Sequence, residues 1–299
     1  MPPKFEFLKI RDFGELISDS FVFIRLNFKP MIKAFFTFCG FFLFASAIFS
    51  ALEQARAIDT FNSVNLIQTT SRLYESNQFG IFGIEYLLTI VFALLNYFAV
   101  PTTIFSYIAL YKEKGHEPPT LPELWGYIKY FYLRILGSGI LIGLLLGVAC
   151  LLCCIPGIYL YPIMALIFPI MIFENTTLGF AFNRSFRLIK DNWWITFGAL
   201  VVIILIVYFA TLAVLTPVSL LNLSSLFLHA KNGVHLSTTL TVITTILEQL
   251  CEVFYILPLI TISLCYFSLT ERLDSPGLLD RISQLGNVQP DNNQPTEEF

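Results

Sequence analysis

Three glutamates near the ends of apolar stretches are the side chains best suited to chemistry inside a membrane. Glu248 and Glu252 lie one helical turn apart, and Glu85 stands at the start of another apolar stretch. Because a carboxylate in hydrocarbon is costly, it usually faces a cavity or a charged partner. The three are therefore a candidate contact for an ion or a polar substrate. The alternative is that they lie at the outer interface and reach water or pair with Arg56 or Arg72.

The cysteines give a weaker chemical signal. Cys150, Cys153 and Cys154 have the spacing of a metal or redox pair, but no histidine or carboxylate lies nearby in sequence. Thiols are also common packing groups in apolar helices, and this interpretation is favoured. No hydrolase, metalloprotease or phosphate-binding motif occurs. We therefore expect no catalytic residue, no cofactor and no metal site, and predict that the protein is not an enzyme.

Composition indicates that most of the chain lies in a lipid environment. Hydrophobic residues make up 56% of the chain and charged residues 13%, whereas about a quarter of the residues of a soluble domain are charged. The net charge of -3 is too small to indicate a nucleic-acid partner. The sequence therefore predicts an all-α membrane protein whose partners are membrane lipid, another membrane protein or a second copy of itself.

Six apolar stretches are predicted to cross the membrane, because about 20 helical residues span a hydrocarbon core of about 30 Å. The fourth stretch is short and contains Pro162 and Pro169, either of which can interrupt a helix. The third and fourth stretches are therefore either two crossings or a re-entrant pair. The predicted spans are 31–52, 84–110, 133–155, 158–173, 194–216 and 246–269.

A basic and aromatic segment precedes each pair of spans. In 176–193, Phe182 and Phe186 share one helical face and the basic residues share the other. Similar segments occupy 9–29, which Pro30 is expected to end, and 121–134. The chain is thus predicted to form three hairpins, each introduced by an amphipathic helix at the interface. The residues expected to contact lipid there are Arg25, Lys29, Arg184, Arg187, Lys190, Trp193 and Trp194.

Two of these segments contain the same pattern, Ser-Phe-x-x-Ile-basic-x-Asn, which begins at Ser20 and again at Ser185. Pro101 and Pro258 are predicted to interrupt the second span of the corresponding hairpins at comparable depth. Because both copies precede a span on the same predicted side, they indicate a parallel repeat. We interpret them as anchors that place aromatic rings among the lipid headgroups and basic groups against anionic lipid.

Three glycines four residues apart, Gly139, Gly143 and Gly147, fall on one face of the third span. Small residues at this spacing let two helices approach closely in a membrane. The pattern predicts a tight packing seam, with a partner helix from this chain or from another subunit.

Lysine and arginine are distributed unevenly between the two sides that six crossings define. Fifteen flank the side that carries both termini, and three lie opposite, namely Arg56, Arg72 and Lys231. Because positive residues accumulate on the cytoplasmic side, both termini are predicted to face the cytoplasm. Residues 1–272 are assigned to the membrane domain, and 273–299 to a short helix and a disordered tail.

Part of the chain resembles a known family. The residues that carry the resemblance are Cys-Ile-Pro-Gly-Ile-Tyr-Leu from Cys154, the pair Phe173-Glu174, and the segment from Arg184 to Trp194. Over residues 120–272 the chain resembles the membrane domain attached to some glycerophosphoryl diester phosphodiesterases, here without the phosphodiesterase domain. The resemblance implies a protein of the bacterial inner membrane, with a turn at Pro-Gly and a glutamate that opens the following surface helix. It implies little about activity, because stand-alone members are largely uncharacterised.

Two functions from different classes are compatible with these patterns. The first is a non-enzymatic scaffold or accessory protein that interacts with lipid or with a membrane partner. The alternative is a transporter or lipid-handling permease that uses the proline-broken spans and the Glu248/Glu252 pair. A cavity that reaches Glu252 at mid-membrane depth would favour transport, and a solid bundle would favour the scaffold.

Thiol labelling tests the predicted topology. In a background without the natural cysteines, a cysteine introduced at Ser76 or Asn232 should react in intact cells with a reagent that does not cross membranes. A cysteine at Gln284 should react only after the membrane is opened. Reaction at Gln284 in intact cells would overturn the topology.

Overall fold

The computed structural model describes residues 5–63, 84–152, 154–229 and 238–275. Within these ranges the chain is almost entirely α-helical and contains no β-strand. Six of its helical segments are long and apolar enough to cross a membrane. The predicted fold class, an all-α protein with six candidate membrane spans, is therefore confirmed.

The helices are bounded as follows. They are α1 (Phe13–Phe38), α2 (Gly40–Ser63), α3 (Ile84–Glu113), α4 (Leu121–Leu152), α5 (Cys154–Ala165), α6 (Ile167–Phe173), α7 (Leu178–Ile189), α8 (Trp193–His229), α9 (Thr238–Cys251) and α10 (Ile256–Asp274). A 3₁₀ turn at Glu252–Tyr255 joins α9 to α10. The candidate spans within them are Gly40–Ile58, Ile84–Glu113, Leu121–Ala149, Pro156–Phe173, Trp193–Ser224 and Thr238–Asp274.

Consecutive spans pack as pairs, α2 against α3, α4 against α5, and α8 against α9. Helices α3 and α10 form the centre of the bundle. They pack against each other, and both α1 and α6 pack against each of them. The C-terminal half of α3 is buried without interruption from Phe98 to Tyr111. These two central helices therefore position whatever lies at their C-terminal ends.

Both central helices end at the same end of the bundle, where four segments distant in sequence meet. The backbone N–H of Arg11 donates to Ser268 Oγ at 3.0 Å, and Arg272 Nη1 donates to Asn192 Oδ1 at 3.1 Å. The ring of Phe7 stacks on that of His116 at 5.8 Å. We call this the basic end and define it as residues 5–12, 111–121, 174–192 and 268–275. These four segments meet because the chain returns to this end after each pair of packed spans.

The first helix departs from the sequence prediction. It runs through Pro30 to Phe38, and α2 begins directly after Cys39. The expected end at Pro30 and the expected single span 31–52 are therefore wrong. Proline removes one helical hydrogen bond, but Met31 and Phe35 follow it and are fully buried. Their packing against the bundle holds the helix together past the proline.

Residues 121–134 also differ from the expectation of a separate surface helix. They are the first part of α4, which continues without a break to Leu152. The sequence around Arg134 and Ile135 contains no proline and no helix-capping pattern that would end a helix there. By contrast, α7 is a separate helix, and the chain bends at Asn192, whose carbonyl accepts from the N–H of Thr196 at 3.1 Å.

Both serines of the repeated pattern, and its first asparagine, pack inside the bundle, a role that the sequence does not predict. Ser20 and Ser185 are both fully buried, and Ser20 Oγ accepts a hydrogen bond from Thr261 at 2.9 Å. Asn27 is buried as well and accepts from the hydroxyl of Tyr107 at 3.1 Å. The lipid-anchor interpretation concerns the aromatic and basic positions of the pattern, of which Arg25 and Lys190 are exposed, and it stays a prediction. A polar side chain that faces another helix is retained inside a bundle because it finds a partner there.

The prolines interrupt fewer helices than expected. Helix α3 continues through Pro101, whereas a 3₁₀ turn precedes Pro258. Pro156 and Gly157 lie in the first turn of α5 instead of a loop. Proline is tolerated there because first-turn N–H groups have no partner within the helix. The fourth candidate span is broken at Leu166, between α5 and α6.

The three glycines of α4 do not form one seam within this chain. A side chain at Gly139 would collide with the ring of Phe98 on α3, so α3 and α4 approach closely at this point. At Gly143 and Gly147 an added Cβ would meet no described atom within 4 Å. A partner helix from this chain is therefore found at Gly139, and a partner from another subunit at Gly143 and Gly147 stays a prediction.

This difference predicts opposite effects of two alanine substitutions in one helix. Gly139→Ala should lower the free energy of unfolding by about 1–3 kcal/mol, because Phe98 must move. Gly143→Ala should leave it unchanged or raise it by up to about 1 kcal/mol, since alanine favours helix. Thermal unfolding in detergent compares the two, and equal shifts would contradict the close approach at Gly139.

Candidate functional site

A pocket of about 800 Å³ opens at the basic end, between the last turns of α3, α6 and α10 and the first turns of α4. Its apolar wall is formed by Ala109, Phe131, Ile172 and Phe173. Ligand-binding pockets commonly measure about 300–1,000 Å³ and combine an apolar wall with a few polar groups. This pocket has both features and is the candidate functional site.

The connection between α3 and α4 shapes the mouth of the pocket. Gly115 has φ +68° and His116 has φ 80°, which reverses the chain after α3. Glu123 then accepts from the N–H of Thr120 at 2.8 Å and pairs with Lys114 at 2.8 Å. A carboxylate at this position also suits the positive end of α4. The two helices are therefore held at a fixed separation.

Gly126 leaves the space that the pocket occupies. It lines the pocket from α4, and a Cβ added there would meet no described atom within 4 Å. Its neighbours Trp125 and Tyr127 are bulky, so the glycine is a local gap in an aromatic surface. A larger residue at this position would project into the pocket without displacing a neighbouring side chain.

Two charged side chains of α3 face opposite walls of the pocket. Lys112 Nζ lies over the ring of Phe267 on α10, 4.7 Å from its centroid. Glu113 accepts a hydrogen bond from the hydroxyl of Tyr127 on α4 at 2.7 Å. In the described part of the chain, no carboxylate lies within ion-pair distance of Lys112, and no cation lies within that distance of Glu113. Both charges are therefore open to a ligand.

A third charged residue of the pocket, Glu174, is already paired. It accepts from Tyr266 at 2.9 Å and from Arg184 at 3.2 Å. Arg184 also donates to Asp274 at the end of α10. Burial lowers the pKa of Arg184, but the two carboxylates outweigh it and hold the pKa above its usual value. This network is a structural clamp between α6, α7 and α10.

The three glutamates predicted as a membrane site have separate surroundings. Glu85 pairs with Arg56 at 2.6 Å. Pairing with this arginine is what the alternative of an interfacial position predicts. Glu252 accepts a hydrogen bond from Asn96, a buried side chain of α3, and Glu248 is exposed. Arg72 lies outside the described residues. The structure does not bring the three carboxylates into one site.

The residues expected to contact lipid divide into two groups. Arg184 and Trp193 face the protein, since Trp193 donates to the carbonyl of Tyr159 at 3.0 Å. The remaining members are exposed and free to meet lipid headgroups. They are Arg25, Lys29, Arg187, Lys190 and Trp194.

The structure does not test the metal or redox interpretation of the cysteines. Within the described residues, no group of three or more histidine, cysteine or acidic side chains could hold a metal ion. The side chains of Cys150, Cys153 and Cys154 lie outside what the structure describes.

Sequence reasoning does not single out the pocket. Lys112 counts there only as one of the fifteen cations on one side, and Gly126 shows no pattern with other glycines. The sequence signal for the pocket is the pair Lys112-Glu113 at the end of an apolar span, followed by Gly126 between two aromatic residues. It has meaning only once α4 is known to fold back along α3.

Comparisons with protein families, curated proteins and solved structures found no match. The resemblance of residues 120–272 to the phosphodiesterase-associated membrane domain therefore stays a prediction. The functional argument depends on the geometry of this chain.

The clamp at Arg184 can be tested against its exposed neighbour Arg187. Arg184→Met removes the guanidinium that bridges Glu174 and Asp274 and should lower the free energy of unfolding by about 1–3 kcal/mol. Arg187 lies 3.8 Å from Asp274 with its side chain 66% exposed, so Arg187→Met should cost less than about 1 kcal/mol. Thermal unfolding in lipid nanodiscs measures both, and equal losses would argue against the clamp.

Proposed function

We propose that this chain is a non-enzymatic accessory or scaffold protein of the bacterial inner membrane that binds phospholipid in the basic-end pocket. In this proposal both termini face the cytoplasm, so that the pocket opens to the inner leaflet. The observation that carries the proposal is an apolar pocket with an uncommitted lysine at the end of a membrane span.

The position of the pocket favours a ligand that is itself amphipathic. Its apolar wall lies on the side of the spans, and Lys112 and Glu113 lie at their end. A phospholipid presents polar and apolar parts in the same order along the membrane normal. A small polar solute would leave the apolar wall without a partner.

The outer surface of α4 provides a path for acyl chains beside the pocket. Tyr130, which lines the pocket, is 61% exposed, and Leu133, one turn further along the helix, is 75% exposed. Such apolar exposure is expected where a protein meets hydrocarbon. A headgroup in the pocket and chains along α4 would bury both surfaces.

The exposed cations of α1 and α7 support the same interpretation. Arg25, Lys29, Arg187 and Lys190 are all exposed. Each basic group near an anionic membrane surface contributes about 1 kcal/mol of attraction. These residues would hold the basic end at the headgroup layer, where the pocket can receive lipid.

The permease alternative requires a cavity that reaches Glu252. The pocket begins at Ala109, 13 residues along α3 from Asn96, the partner of Glu252, or about 20 Å at the rise of an α-helix. Glu252 does not line it. This separation favours lipid binding at one end of the bundle over passage through its middle.

Filling the pocket tests the proposal. Gly126→Phe should reduce co-purified phospholipid by roughly tenfold, the effect of about 1.4 kcal/mol, because the ring would occupy the headgroup space. Gly143→Phe is the matched control, since it lies on the same helix, has open space around it and does not line the pocket. Native mass spectrometry of the two variants and the parent protein measures bound lipid.

The variants must also unfold at a temperature close to that of the parent protein, which separates lipid displacement from misfolding. Equal lipid content in both folded variants would show that the pocket does not hold phospholipid.

A further inference from the structure

We propose that the pocket selects a phospholipid whose headgroup carries a phosphate and a primary ammonium, as phosphatidylethanolamine does. This inference rests on the proposed lipid binding and adds the class of headgroup. It starts from the charges that the pocket offers to a ligand, which are one cation and one carboxylate.

The cation is suited to a phosphate. Lys112 lines the pocket, and the described contact of its ammonium is the face of Phe267. A ring face leaves the three N–H donors of lysine available. A phosphate oxygen would give these donors a charged acceptor, and charge-assisted hydrogen bonds are stronger than neutral ones.

The carboxylate is suited to an ammonium that can donate hydrogen bonds. Tyr127 donates to one oxygen of Glu113, Oε2, while a carboxylate offers about four acceptor positions on two oxygens. A primary ammonium has three N–H donors and can fill the remaining positions. A quaternary ammonium has none, and choline would meet Glu113 through charge alone.

Glu174, the other carboxylate that lines the pocket, and Glu123, near its mouth, do not change this balance. Glu174 is matched by Arg184, and Glu123 is matched by Lys114. The uncommitted charges of the pocket therefore sum to zero. An anionic headgroup without an amine would bind Lys112 but leave Glu113 facing its negative charge.

The two open charges also point apart. Lys112 is directed towards α10 and Glu113 towards α4, so they stand on opposite walls of the mouth. A headgroup that carries its two charges at opposite ends can contact both walls at once. This gives the selectivity a geometric basis in addition to net charge.

The test is a competition in nanodiscs that contain equal amounts of phosphatidylethanolamine, phosphatidylcholine and phosphatidylglycerol. The full-length protein is extracted, and its retained lipid is identified by native mass spectrometry. We expect roughly tenfold enrichment of the ethanolamine lipid over the choline lipid, the effect of one hydrogen-bonded charge contact. Enrichment of phosphatidylglycerol, or equal retention of all three, would overturn the headgroup assignment.

Two neutralising variants assign the selectivity to residues. Glu113→Gln keeps the shape of the side chain and should abolish the preference for ethanolamine over choline, with total lipid largely retained. Lys112→Met should lower retention of all three lipids. Glu117→Gln is the matched control, because Glu117 is exposed in the neighbouring loop and does not line the pocket.

The outcomes separate the two proposals. If Gly126→Phe displaces lipid but Glu113→Gln leaves the lipid profile unchanged, the headgroup assignment fails and lipid binding stands. If Gly126→Phe leaves the amount of bound lipid unchanged, phospholipid binding in the pocket fails, and the headgroup assignment fails with it.

Discussion

Arginine side chains at the basic end hold together segments that are far apart in the sequence. Arg11 is almost fully buried, and its guanidinium pairs with Asp19 at 2.7 Å and with the carbonyl of Phe7 at 2.8 Å. Arg272 reaches from α10 to the carbonyl of Arg11 and to Asn192. Because a buried guanidinium is tolerated only when its donors are satisfied, these contacts fix the positions of the N-terminal arm, α7 and α10 together.

The pocket follows from this constraint. The clamp at Arg184 uses the charge of Glu174 and draws α6 and α7 towards α10, while the Lys114–Glu123 pair holds the start of α4 at the end of α3. Between these two fixed points, Gly126 leaves space that none of the described side chains fills. Lys112 and Glu113 belong to neither set of ion pairs and remain available. The structure therefore separates charges that support the fold from charges that face the open pocket.

The sequence predicted the features that depend on composition, and it missed those that depend on contacts. The six apolar stretches and the basic side can be predicted from hydropathy and charge, because each residue type has its own preference for lipid or water. That preference does not depend on which residues lie nearby in the fold. Ser20 is buried, and α1 continues past Pro30, because neighbouring helices pack against them. A local sequence pattern does not indicate which helices will be neighbours. The glycines of α4 show the same limit: their spacing is equal, but only Gly139 has a close neighbour among the described residues, and Gly143 does not.

The most direct test of a lipid-binding pocket is an experimental density map of the protein in nanodiscs formed with native lipid. The account predicts phospholipid density in the pocket, with the phosphate beside Lys112 Nζ, the amine beside Glu113 and the acyl chains along the surface that carries Tyr130. Water alone in the pocket, or a segment of the chain itself lying across Gly126, would contradict it.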